Sequence, residues 1–154
     1  MADLVDVDAR RAVIQKYWDA LMSGDMVTFR TLLAPGAVIH YPGQNYMSGD
    51  YTTTDDIVGL YTQLTQFVQD GVFTGEVLDI MVGEVYTSVV IRYDLHTPFK
   101  VLPGRAIGLF ILDDDLLIKE YWLHEWNQHM INWVFRSSRL ASPLTSYLKK
   151  RKQR

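Results

Sequence analysis

From Asp8 to Met22 apolar residues recur at helical spacing, with Ala12, Val13, Tyr17 and Leu21 on one side and Ile14 and Trp18 widening the stripe. That pattern predicts an amphipathic helix, with Asp8 able to cap its start and Gly24 its end. Asp25 can open a second, short helix through Leu33, which Pro35-Gly36 would stop. Ala37 to Tyr41 reads as a short strand ended by Pro42-Gly43, and Gln44 to Asp50 as a loop. Thr54-Asp55-Asp56 then starts a third helix to about Gln69, whose stripe is Ile57, Leu60, Tyr61, Leu64 and Phe67/Val68. After Asp70-Gly71 the period changes. Alternating segments predict strands over about 72–82, 85–97, 104–112 and 116–126, joined by short turns into a meander.

Helices first and long antiparallel strands afterwards describe an α+β layer packing. The segment from Arg105 to Leu112 is apolar at both parities, so it must be covered on both faces. Helices cover one face, and a second copy of the chain is the simplest cover for the other, a homodimer through the outer sheet face. A short helix over Met130 to Phe135 is expected to complete a single domain spanning 1–136, leaving 137–154 as a basic tail.

The composition supports a globular chain: nearly half of its 154 residues are hydrophobic, enough for one substantial core. It has no cysteine, which removes disulfides, thiolate metal ligands and Cys nucleophiles and fits a reducing cytoplasm. The acidic start lacks the apolar stretch of a signal peptide, and no run approaches membrane-spanning length. The net charge of −3 is unevenly placed: residues 1–125 hold all 18 acids against eight bases, whereas 126–154 hold seven bases and no acid. An acidic body argues against nucleic acid as a partner, and the basic end reads first as a solvated tail.

Charge then singles out the stretch from Val85 to Trp126. Along its first strand Val89, Ile91, Tyr93 and Leu95 share one face, and Val90, Arg92, Asp94 and His96 the other. Arg92 and Asp94 are neighbours on that second face, and the last strand ends in His124 and Glu125. An arginine between two carboxylates can hold one ionised as a base while burial keeps the other protonated as an acid. Asp94 is the expected base, Arg92 its orienting cation, and Glu125 or His124, together with His40 of the first strand, the acid side. The alternative is a surface ion pair with a solvated strand end. Tyr17, Trp18, Tyr46, Tyr61, Trp122 and Trp126 are candidates to line a cavity for a flat apolar ligand. His124 and His129 are one residue too far apart for the zinc-protease pattern, Asp113-Asp114-Asp115 reads as a turn, and no phosphate or dinucleotide loop occurs. No metal or cofactor is expected.

Three stretches carry a family resemblance: Tyr17 to Asp25, Leu32 to Gly43 and Gly108 to Trp122. Their order and length resemble the NTF2-like superfamily, in particular its SnoaL-like polyketide cyclase and limonene-epoxide-hydrolase branches. The resemblance implies a cone of three N-terminal helices against a curved, mostly antiparallel sheet. In the epoxide hydrolases an Arg-x-Asp on one long strand and a carboxylate on the last strand activate a water, and Arg92-Tyr93-Asp94 with Glu125 matches that spacing. The epoxide hydrolases' Tyr-x-Asn of the first strand falls here on Val38 and His40. In the SnoaL-like cyclases the acid/base Asp lies four residues after a Trp, which from Trp122 reaches Trp126, one position past Glu125. A shift of one residue exchanges the two faces of a strand, so His124 and Glu125 both remain candidates for the cavity.

Two readings follow. One is a cofactor-independent acid/base enzyme of small-molecule, secondary metabolism that isomerises, cyclises, dehydrates or hydrolyses an apolar oxygenated substrate. The other is a non-catalytic binding or scaffolding dimer of the same fold, which would leave Arg92 and Asp94 on the solvent face.

Overall fold

A computed structural model describes residues 6–136, so the basic tail lies outside the described residues. Helix α1 (Val7–Ser23) is capped by Asp6, whose carboxylate accepts from the Ala9 amide, and ends at Gly24 in the left-handed conformation. The cap therefore stands two residues before the expected Asp8. Asp25 caps α2 (Met26–Thr31), and Thr53 caps α3 (Thr54–Gln69) through the Asp56 amide. Side-chain oxygens at these positions satisfy amides that have no partner inside the helix.

Six strands form one sheet: β1 (Leu33–Tyr41), β2 (Gly49–Tyr51), β3 (Phe73–Val82), β4 (Tyr86–His96), β5 (Val101–Leu112) and β6 (Ile118–Glu125). Their order is β2-β1-β6-β5-β4-β3, antiparallel except for β1 against β6. The meander β3 to β6 is the one expected from the alternation. β1 is longer than expected because Pro35-Gly36 lies within it, at the break in its pairing with β6 between Leu33 and Val38. A short α4 (Gln128–Val134) follows the last strand. The architecture is α+β, with helices against one face of a curved, mostly antiparallel sheet.

Ile14, Phe29, Ile57, Ile39, Phe110 and Ile118 are fully buried between α1, α2, α3 and the sheet. Alternation puts Val89, Ile91, Tyr93 and Leu95 of β4 on this inner face, with Tyr121, Leu123 and Glu125 of β6 and Ile39 and Tyr41 of β1. Val90, Arg92 and Asp94, with Trp122 and His124 and with His40, face outward. The helices do not fill the inner face completely, and the space they leave is the cavity. Among the described residues no helix is long and apolar enough to cross a membrane.

Candidate active site

The cavity holds about 790 Å³ of atom-free space, open mouth included. Its apolar walls come from Leu21 and Leu64 of the helices and Val89, Ile91, Leu95 and Leu123 of the sheet. Ile131 and Phe135 close one side. Asn132 fastens that closure, its side-chain oxygen accepting from the Gln44 amide at 2.9 Å and the Asn45 side chain at 3.2 Å.

Polar groups enter this apolar space at two places. At the first, the Tyr17 and Tyr61 hydroxyls meet at 2.6 Å, with Tyr121 beside them. Burial first, and the neighbouring phenols second, push Tyr17 well above its ordinary value, so it stays protonated. At the second, Glu125 ends β6 on the inner face, and the Tyr93 hydroxyl donates to its Oε2 at 2.6 Å. Burial pushes the Glu125 carboxyl up to about 7, against the hydrogen bond from Tyr93, which lowers it. The Tyr93 and Tyr41 phenols are raised by burial and then by the Glu125 charge. Glu125 is thus the only carboxyl among the described lining residues, and it lies beside the protonated phenols of Tyr93 and Tyr41. Near neutrality it is divided between its two protonation states, so it can accept a proton in one step and return it in another.

The structure separates the residues expected to act together. Tyr17, Trp18, Tyr61 and Glu125 line the cavity. Arg92 and Asp94 lie on the opposite face of β4, beside a shallow outer groove with Thr74 and Glu76. Arg92 pairs with Glu76, and both side chains are more than half exposed. His124 is exposed on the outer face, which leaves Glu125 as the member of that pair turned inward. His40 also faces outward, with Nδ1 2.7 Å from Asp50 and Nε2 2.8 Å from Glu120, its ring stacked on Trp122 at 5.1 Å. Trp122 is therefore outside the cavity, Trp126 is 62% exposed, and Tyr46 packs edge-on against Phe135 without reaching the lining. The expected meeting of Arg92, Asp94 and His40 with Glu125 is not the arrangement of this fold. The physical reason is that an outward sheet face can solvate a row of charges, whereas the inner face admits one carboxyl, at a strand end.

Burial opposes a charge on His40, but the hydrogen bonds and charges of Glu120 and Asp50 outweigh it and raise the imidazole above its ordinary value. A raised histidine stabilises the fold below its unfolded value and loses that contribution as pH rises through the folded one. His40→Gln should therefore narrow the difference in thermal midpoint between pH 5.5 and pH 9, which scanning calorimetry would read. Identical pH dependence in the two proteins would remove this role.

Sequence reasoning missed Tyr41, Tyr93 and the glycines of β5. Gly104 and Gly108 stand opposite Tyr93 and Val89 on β4, and the Tyr93 and Tyr121 rings lie over them. The signal was the apolar parity of β4, which also held a tyrosine.

Neither a family model nor a curated sequence matches the chain. Among solved structures, an NTF2-like protein of unknown function from Burkholderia pseudomallei superposes with a TM-score of 0.70 at 8% identity, over 84% of this chain and 98% of that one. IdmH, a proposed polyketide cyclase from Streptomyces antibioticus, gives 0.64 at 21% identity, over 79% of this chain and 95% of its own. SalBIII, an epoxide hydrolase/cyclase-like enzyme with a role in pyran ring formation in the polyether salinomycin, gives 0.64 at 12%, over 79% and 94%. At these identities the likeness establishes the fold. This chain has the NTF2-like fold, one that carries cyclase-like and epoxide-hydrolase-like proteins as well as proteins without an assigned activity.

Proposed function

We propose that the protein is a cofactor-independent acid/base enzyme acting on a neutral, apolar, oxygenated small molecule, by isomerisation, cyclisation, dehydration or hydrolysis. One observation carries this reading: Glu125 is on the cavity wall with its carboxyl pushed up to about 7 by burial. A carboxyl at that value is a stronger base than a solvated one and is still protonated often enough to act as an acid. The apolar walls favour an apolar substrate body, and the absence of a cationic side chain among the described lining residues disfavours an anionic one. The Tyr41 hydroxyl has no hydrogen-bond partner among the described residues, so this protonated phenol is available to an acceptor oxygen of the substrate. The resemblance to cyclase-like and epoxide-hydrolase-like folds supports the same range of reactions. The test is a panel of neutral epoxides and cyclic ketones incubated with the protein in D2O. Ring opening and deuterium incorporation are followed by NMR and mass spectrometry, with Glu125→Gln as control. A panel turned over equally by that variant sinks the proposal.

The second reading, a ligand-binding or scaffolding protein, is favoured by the position of Arg92 and Asp94 on the outer face. It predicts that neutral apolar compounds bind without being changed. Either reading leaves an outward apolar strip of Val90, Ile107, Leu109, Ile111 and Trp122, only partly buried in the single chain. A homodimer through this face would cover it. Leu109→Arg should then convert a sedimenting dimer into a monomer, and a wild-type chain that sediments as a monomer at micromolar concentration removes the interface.

A further inference from the structure

Tyr93 is flanked by glycine on both sides, with Gly75 of β3 and Gly104 of β5 as its pairing partners. Its ring stacks on Phe73 at 5.2 Å, and its hydroxyl reaches Glu125 of β6, two strands away. Neighbouring strands lie about 4.8 Å apart, so the Tyr93 and Glu125 side chains together have to span roughly 10 Å across the inner face of β5. It crosses that face at Gly104. A Cβ added there would stand 2.5 Å from the Tyr93 hydroxyl oxygen and 2.5 Å from its Cε2, and nearer still to Cζ. Gly104 is not among the residues with positive φ, so the backbone does not demand glycine at this position. The space does. Phe73 packs against the ring from the β3 side, which limits retreat in that direction.

We propose that Gly104 is a positioning residue for Glu125: its bare inner face is the passage through which the Tyr93 phenol reaches and orients the carboxylate. The inference rests on the reading of Glu125 as the acid/base group. It gives that group a fixed donor on one oxygen, Oε2, and leaves the other oxygen for a substrate proton. The same passage explains how two residues on non-adjacent strands meet over an intact sheet.

The test reads the Glu125 carboxyl directly, by 13C NMR titration of glutamate-labelled protein without substrate. Tyr93→Phe removes a donor to the charged form, so the Glu125 midpoint should rise, by roughly one pH unit. Gly104→Ala should reproduce that rise, and the double variant should add nothing to it. Gly59→Ala, where an added methyl meets nothing within 4 Å, should leave the midpoint in place. Thermal melts in a Tyr93→Leu background provide a second readout if Gly104→Ala alone fails to fold. With the ring gone the methyl should be accommodated and its destabilisation should disappear. A folded Gly104→Ala protein with the wild-type midpoint overturns the proposal, as does an equal thermal loss in both backgrounds. Because no turnover is measured, a midpoint that shifts as described in a catalytically inert protein leaves the positioning role intact and removes only the enzyme reading.

Discussion

Replacing Glu125 by Gln should lower kcat by about 10²–10⁴-fold, the contribution expected of a positioned general acid or base. That range corresponds to roughly 3–5 kcal/mol of transition-state stabilisation. Gln keeps a carbonyl oxygen to accept from Tyr93 and nearly the same volume, so the cavity wall should survive the exchange. What disappears is the transferable proton. In the wild type, kcat/KM should bend near pH 7, because the Glu125 carboxyl lies at about 7. If the limiting step uses the carboxylate as base, the rate rises through that pH to a plateau. If it uses the acid, the rate falls through it. Asp94→Asn, the substitution that the spacing of Arg92 and Asp94 would have marked as fatal, should leave turnover close to wild type, since Asp94 lies beside the outer groove. Loss of turnover in a folded Asp94→Asn protein, with turnover retained in Glu125→Gln, would move the chemistry to the outer face.

The positions of the helices and the meander were legible because hydrophobic periodicity is local and repeated. α3, for example, carries five buried residues on one stripe between a Thr cap and Asp70. The parallel contact of β1 with β6 was not legible, because nothing near Ile39 or Tyr121 encodes which distant strand will lie beside it. The site was half legible. The sequence marks Glu125 and the aromatic residues of α1 and α3, but its charge pattern points to the outer face of β4 for the acid/base partners. In a sheet whose helices leave a hollow, the apolar parity faces that hollow and the charged parity faces water. Tyr93 belongs to the first class and Arg92 to the second. Gly104 and Gly108 read in sequence as two weak strand residues, and their use is visible only once Tyr93 and Tyr121 lie across them.

Glu125→Gln should also make the protein more stable at alkaline pH. In the unfolded chain a glutamate titrates near its ordinary value of 4.5, whereas in the fold the Glu125 carboxyl is pushed up to about 7 by burial. Between those values the folded state binds the extra proton, so stability falls as pH rises through the interval and levels off above it. A displacement of two to three pH units corresponds to about 3 kcal/mol, an upper figure, since ionisation draws water and phenol donors toward the carboxylate. Gln carries no charge at any pH. Its advantage over Glu should therefore be small near pH 4.5 and approach that figure near pH 8, offset in part by the amide donor it introduces. For a domain of this length, the corresponding difference in thermal midpoint is on the order of 6–10 °C at pH 8. The two effects have one cause. The apolar surroundings that make the Glu125 carboxylate basic enough to take a substrate proton also make it costly to bury, so the substitution that ends catalysis should relieve the fold. A Gln variant whose stability follows the same pH dependence as the wild type between pH 4.5 and 8 would show that Glu125 titrates as a solvated carboxyl, and the catalytic assignment would lose its physical basis.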